Sequence, residues 1–216
     1  MKQILSDQER RHFDQHIAVA EKRTGAQIVL AVIERSDSYT ELPWKAFALG
    51  VSMTGLMVSI LNLARPEWSS GTAALLAVVT TLAAGAACAL LTVYLKGFAR
   101  WFLSDHRADV EVRQYAESLF LSRELFATRQ RTGILLLVSL FERQVIVLPD
   151  TGLRKRLSRD AMQEVIARMA APLASGQVTR ALEEGLKSLE DVLAVTVLEE
   201  SGENELPEEI IVEKGL

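Results

Sequence analysis

The 216-residue sequence predicts a split α/β domain interrupted by a two-helix membrane hairpin. Two uncharged apolar runs, Ala46 to Ala64 and Gly71 to Leu95, lie in the middle of the chain. Two strand-like apolar runs, Gln27 to Ile33 and Ile134 to Phe141, lie on opposite sides of that pair. Amphipathic helical patterns flank each strand-like run. A helix rises about 1.5 Å per residue and a bilayer core is roughly 30 Å thick, so each uncharged run is long enough to span. A pair of core helices in a soluble protein would instead need flanking segments large enough to cover 44 uncharged residues, and these are too short.

The order of elements follows from local signals. Ser6-Asp7-Gln8-Glu9 is a capping box, and Phe13, Ile17 and Ala20 continue it at helical spacing until Thr24-Gly25 stops the helix. Gln27 to Ile33 is short, β-branched and apolar on both faces, the pattern of a strand covered on both sides. The spans follow, joined by Arg65-Pro66-Glu67-Trp68-Ser69-Ser70, with Trp44, Trp68 and Trp101 placed as interface anchors. Lys96, Phe98, Arg100, Trp101 and Phe102 make an interfacial segment, and a helix is expected from about Asp105 to Ala127. Gly133 opens the second strand, Glu142-Arg143 turns it, and Gln144 to Leu148 returns antiparallel. After the Pro149-Asp150-Thr151-Gly152 turn, Ser158 caps a helix carrying Met162, Val165, Ile166 and Met169, kinked or ended near Pro172. Gly176 separates it from a last helix with Leu182, Leu186, Leu189 and Leu193 on one face. The domain therefore divides into residues 1–41 and 104–198, with the hairpin at 42–103. An acidic tail at 199–216 is expected to be disordered.

Charge sets orientation. Arg35, Lys45, Lys96, Arg100 and Arg107 flank the outer ends of the spans, whereas the connector offers Arg65 beside Glu67. The positive-inside rule then puts both termini in the cytoplasm, and no apolar leader precedes the first helix. The net charge of -4 comes from the tail, whose seven Glu and one Lys leave 21 acidic and 23 basic residues elsewhere. The one cysteine, Cys88, lies within the second span, so no disulfide is available.

Thr24-Gly25-Ala26-Gln27-Ile28-Val29-Leu30, Thr132-Gly133-Ile134-Leu135-Leu136-Leu137-Val138-Ser139 and Glu142-Arg143-Gln144-Val145 together resemble the TPM domain family. The closing pattern, Asp150, Gly152 and Leu153 before a helix with Pro172 and Gly176, resembles it too. The resemblance covers about 1–40 and 105–197 and is nearest to a bacterial membrane branch with two spans inserted after the first strand. It implies a split three-layer α/β/α domain at the bacterial inner membrane. The family includes thylakoid-lumen proteins of photosystem II repair and an auxiliary subunit of acetylcholine receptors. A non-enzymatic interaction module for assembly, regulation or turnover of a membrane protein complex is thus the implied role. Some relatives have been proposed as phosphatases or calcium binders, which makes a metal-assisted hydrolase using Asp150 and a divalent cation such as calcium the alternative. Family members commonly carry Asp before the turn Arg; Glu142 stands there in this chain, which weakens a metal role for that position.

If the first two strands are parallel neighbours, their carboxyl ends share one edge, which faces the bilayer and gathers Glu34, Asp37, Glu142 and Arg143. The opposite edge gathers Arg129, Arg131, Asp150, Arg154, Lys155, Arg156 and Arg159, a candidate surface for an acidic protein segment. No aromatic interleaving accompanies these cations, so nucleic acid is not the expected partner. His12 and His16 are four apart but lack a catalytic Glu and read as surface histidines beside Phe13 and Ile17. No Ser-His-Asp set, phosphate loop or Cys nucleophile is visible, and the spans carry no ionisable path. Small residues in the spans (Gly50, Gly55, Ala83, Ala84, Gly85, Ala86) allow close helix packing, including homo-oligomers.

Overall fold

The computed structural model describes residues 5–64, 71–154, 156–194 and 210–215. In chain order its elements are α1 (Asp7–Thr24), β1 (Gln27–Arg35), α2 (Glu41–Ala64), α3 (Gly71–Tyr94) and α4 (Lys96–Arg100), then α5 (Asp105–Ser122), β2 (Gly133–Ser139), β3 (Gln144–Pro149), α6 (Arg159–Ala174), α7 (Val178–Ala194) and β4 (Ile211–Gly215). Two compact units result: Ser38–Arg107, and a second in which Met1–Asp37 and Ala108–Leu216 come together.

The discontinuous unit is a mixed sheet in the order β3-β2-β1-β4. β1 pairs in parallel with β2 from Gln27↔Gly133 to Ile33↔Ser139, and β2, which ends at Ser139 and not at the expected Phe141, pairs antiparallel with β3 through a four-residue turn, 140–143. Arg143 has the left-handed φ of 56° that this tight return demands. Alternate side chains of the strands feed two cores. Ile28, Leu30, Val32, Ile134, Leu136 and Val138 meet α1, α6 and α7 on one face. Val29, Ala31, Ile33, Leu135 and Leu137 meet Val112, Ala116 and Leu119 of α5 on the other. The domain is thus three layers thick, α/β/α, as its both-face-apolar strands require.

Burial decides why the chain tolerates a long insertion between neighbouring strands. Leu30, Val32, Leu136 and Val138 are each 0% exposed. Each such side chain stabilises by about 1.5–3 kcal/mol. Lengthening the connection between β1 and β2 costs only about 0.6 kcal/mol per doubling. One pair of buried residues outweighs the insertion.

Local capping explains where α1 begins. The Ser6 backbone N–H and hydroxyl donate to Glu9 Oε2 at 2.8 and 2.7 Å, the Glu9 N–H returns a bond to Ser6 Oγ at 3.3 Å, and Thr179 Oγ1 on α7 donates to Glu9 Oε1 at 2.8 Å. The Ser6 N–H, then the Ser6 and Thr179 hydroxyls, hold the Glu9 carboxyl below the usual carboxylate range.

Two further boundaries differ from expectation and one agrees with it. α5 stops at Ser122 instead of continuing to Ala127, because Glu124 adopts φ 52° and a 3-10 turn over Leu125–Ala127 drives Leu125 into the core at 0% exposure. α6 ends at Ala174, two residues beyond Pro172, in keeping with the expected end near that proline, which has no N–H to return to the preceding turn. The tail expected to be disordered over 199–216 ends in a strand: Ile211–Gly215 add to the sheet parallel to β1, from Ala31↔Ile211 to Arg35↔Gly215. Its glutamate content had masked a short apolar pair whose partner lies far away in sequence. Residues 199–209 of that expectation, and 195–198 of the domain expected before it, lie outside the described residues.

The Ser38–Arg107 unit holds α2 and α3, two helices long and apolar enough to cross a membrane, with mean hydropathy 1.8 and 2.3. They approach closely where both lack side chains. A Cβ on Gly85 would lie 2.6 Å from Val51 Cγ2, and one on Gly50 would lie 3.0 Å from the Gly85 Cα. Large apolar side chains such as Met53, Leu56, Met57, Leu75, Leu76 and Val79 point away from the unit and are exposed. Trp44 and Trp101 are 72% and 84% exposed, while the third expected anchor, Trp68, lies outside the described residues. Within this unit Lys45 Nζ donates to the Phe102 carbonyl at 3.2 Å, and Arg107 pairs with Glu41 at 3.2 Å.

Three outcomes follow from this architecture. A chain reduced to residues 105–216 lacks β1 and should give no cooperative melt by circular dichroism, whereas replacing 42–103 by a flexible linker should leave a cooperatively melting soluble domain. Gly85→Leu should separate α2 from α3, seen as increased spacing between spin labels on the two helices, while Gly97→Leu, where a Cβ meets nothing within 4 Å, should not. Finally, the Glu9 box contributes stability at pH above the unfolded carboxyl's pKa and loses it as pH falls through the depressed folded value. Glu9→Gln should therefore flatten the acid limb of stability against pH and leave the slope above neutrality unchanged.

Candidate functional site

The two edges of the sheet are the places where polar chemistry collects. At the carboxyl edge of β1 and β2, the strands run on through Leu140 N–H to the Ile33 carbonyl (3.0 Å) and Phe141 N–H to the Glu34 carbonyl (2.9 Å). Their continuation brings Ser36 and Glu142 together although 106 residues separate them. Glu142 Oε1 accepts from the Ser36 backbone N–H at 2.9 Å and from its hydroxyl at 2.6 Å, and Oε2 accepts from the Ser139 hydroxyl. Ser36 and Ser139 are 2% and 0% exposed, so the carboxylate meets donors that are withdrawn from water. Arg35 lies over the Phe141 ring at 5.7 Å. Glutamate, one methylene longer than aspartate, spans this gap between two strands and ties them.

The opposite edge holds the cations expected there, but one of them is engaged inside the domain. Arg156 turns inward: its guanidinium donates to the Thr24 carbonyl twice at 3.2 Å and to the Leu193 carbonyl at 2.6 Å. It thereby caps the carboxyl ends of α1 and α7, and burial pushes its pKa below the ordinary value. Arg129, Arg131, Arg154 and Arg159 stay exposed, and Lys155 lies outside the described residues. Arg131 has φ 55°, lies over Phe126 at 5.7 Å and reaches Asp150 Oδ2 at 3.8 Å.

Asp150, expected as a metal candidate, is 5% exposed. Its Oδ1 accepts from the Thr151 backbone N–H at 2.6 Å, capping the 3-10 turn Thr151–Leu153, and its own N–H donates to the Gly133 carbonyl at 2.8 Å. Its Oδ2 makes no hydrogen bond. Among the described residues no three His, Cys, Asp or Glu side chains converge to hold a metal ion. The rings of His12 and His16 lie 4.2 Å apart, tilted by 46°, on the surface of α1, with His12 Nε2 4.0 Å from Glu183 on α7.

A third polar cluster had no place in the sequence reading. Tyr115 OH on α5 donates to Glu213 Oε2 of β4 at 2.8 Å, and Arg123 Nη2 reaches Glu213 Oε1 at 3.0 Å. Burial, then the Glu213 hydrogen bond, push the Tyr115 phenol up to about 12, so it remains a donor throughout the physiological range. The sequence signal was present in Ile210-Ile211-Val212, an apolar triplet inside the acidic tail.

Comparison with known proteins agrees with this geometry. No curated protein matches the sequence. The structure is similar over 98% of its length to 97% of the chain in the NMR structure of BA42 protein from the psychrophilic bacterium Bizionia argentinensis, with TM-score 0.59 at 14% identity, a likeness of fold. Residues 93–192 match the family model of the TPM domain. The matched segment contains α5, β2, β3, α6 and most of α7 and is similar to the TPM domain; the parallel partner strand β1 lies outside it.

Proposed function

We propose that this chain is a membrane-anchored interaction module, in which the TPM domain serves assembly, regulation or turnover of a membrane protein complex. The observation that carries the reading is the pair α2 and α3, whose large apolar side chains are exposed along helices of spanning length. Positive-inside bias favours an inner-membrane hairpin with both termini in the cytoplasm. The exposed cations Arg129, Arg154 and Arg159 suit an acidic segment of a partner protein. The carboxylates that a hydrolase would use are occupied as fasteners, Glu142 by Ser36 and Ser139, and Asp150 by Thr151. One specific observation favours a second reading, metal-assisted phosphoryl hydrolysis: Asp150 Oδ2 is buried without a hydrogen-bond donor.

Topology reporters at the N-terminus, between Arg65 and Ser70, and at the C-terminus test the anchor. The connector reporter should read outside and the other two inside; a cytoplasmic connector overturns the hairpin. Crosslinking in native membranes followed by mass spectrometry tests the partner. Reversing Arg129, Arg154 and Arg159 to Glu should abolish the crosslinked species while stability stays within about 0.5 kcal/mol. Arg156→Ala, which strands two helix-end carbonyls, should instead lower stability by about 1–3 kcal/mol. Metal-dependent cleavage of a generic phosphomonoester that Asp150→Asn abolishes with the fold intact would establish the second reading.

A further inference from the structure

We propose that the β4 side of β1 is an acceptor groove for an extended peptide of the pattern apolar–apolar–acidic–any–Gly, presented by a second polypeptide, and that this chain's own Ile211–Gly215 occupies it as an internal competitor. The inference is independent of the basic edge and of the anchor.

The groove is bounded and selective. Toward its amino end β1 is closed by a side chain, since Glu21, 7% exposed, accepts the Ile28 N–H on Oε1 at 2.7 Å. A strand is therefore received only along Ala31 to Arg35. There, main-chain pairing supplies sequence-independent affinity and alternate side chains supply selection, as in other strand-addition sites. Ile211 packs into the core beneath α5, and Val212 into the opposite one. Asp14 Oδ1 accepts the N–H of Ile210, itself 2% exposed, at 3.1 Å. Glu213 is read by two donors, Tyr115 and Arg123, beside an open cleft completed by Ser118 and Ser122. Gly215 has φ 75°, and a Cβ there would fall 1.6 Å from the Arg35 carbonyl oxygen, so a glycine is required.

The resident strand is poorly held beyond these contacts. Ile211, Val212 and Glu213 are only half-buried, in contrast to the fully buried run of β2. A five-residue edge strand is marginal by itself. It owes its occupancy to belonging to the same chain, because a covalent tether gives an effective concentration on the order of millimolar.

The test uses the full chain in detergent and a fluorescein-labelled peptide of residues 208–215. Gly215→Val should expel the resident strand and bind the peptide at least tenfold more tightly than the unaltered chain, measured by anisotropy. Arg123→Glu in that background should abolish binding, and a peptide carrying E213R should restore it. If Gly215→Val does not fold by circular dichroism, Glu213→Ala, which removes both polar contacts without steric conflict, replaces it with the same expectation of tighter peptide binding. Equal affinity for the released and unaltered chains, or binding indifferent to Arg123→Glu, overturns the proposal. So does a stable dimer of the released chain by light scattering that excludes the peptide, because the groove would then belong to a second copy.

Discussion

The parallel pairing of β1 with β2 is the interaction on which the rest of the α/β unit depends. β1 is an interior strand that receives β2 on one side and β4 on the other, and every residue from Gln27 to Ile33 is buried. Without β2 its backbone donors would be left unsatisfied in an apolar environment, and without β1 neither core would close. Because the pairing joins residues on opposite sides of the Ser38–Arg107 unit, the domain is a product of both chain segments. Folding must therefore wait for the later segment, and the early α1–β1 piece has an exposed apolar strand until it arrives.

Several residues that advertise chemistry are spent on keeping this discontinuous assembly in register. Glu142 fastens the two parallel strands at their carboxyl ends through Ser36 and Ser139. Arg156 fastens α1 to α7 through their terminal carbonyls, and Asp150 closes the turn that follows β3. Each joins segments distant in sequence or seals a turn between them. A domain interrupted by an insertion gains from such polar pins, because apolar contact alone is non-directional and leaves register loose.

Much of this was legible in the sequence, for identifiable reasons. β1 was visible as a short β-branched run, β2 and β3 as short apolar runs around the Glu142-Arg143 turn signal, and the two long apolar helices as uncharged stretches. The capping box at Ser6–Glu9 was local and therefore readable. What was not legible depended on distant partners. Arg156 belongs to a run of cations, and only the fold shows that it faces the Thr24 and Leu193 carbonyls. β4 follows an acidic stretch whose composition speaks of disorder; its pairing with Ala31 to Arg35 is a tertiary fact. The early end of α5 reflects the demand that Leu125 reach the core, which helix periodicity through Ala127 does not reveal.

Native-state hydrogen exchange resolved by residue bears most directly on the central role of β1. The amides of Val29 to Val32, together with their β2 partners Leu135 to Val138, should exchange slowest of all, through global unfolding, while those of Ile211 to Gly215 exchange by local opening. Exchange of the β1 amides as fast as those of β4, with β2 and β3 still protected, would contradict the central place given to the β1–β2 pair.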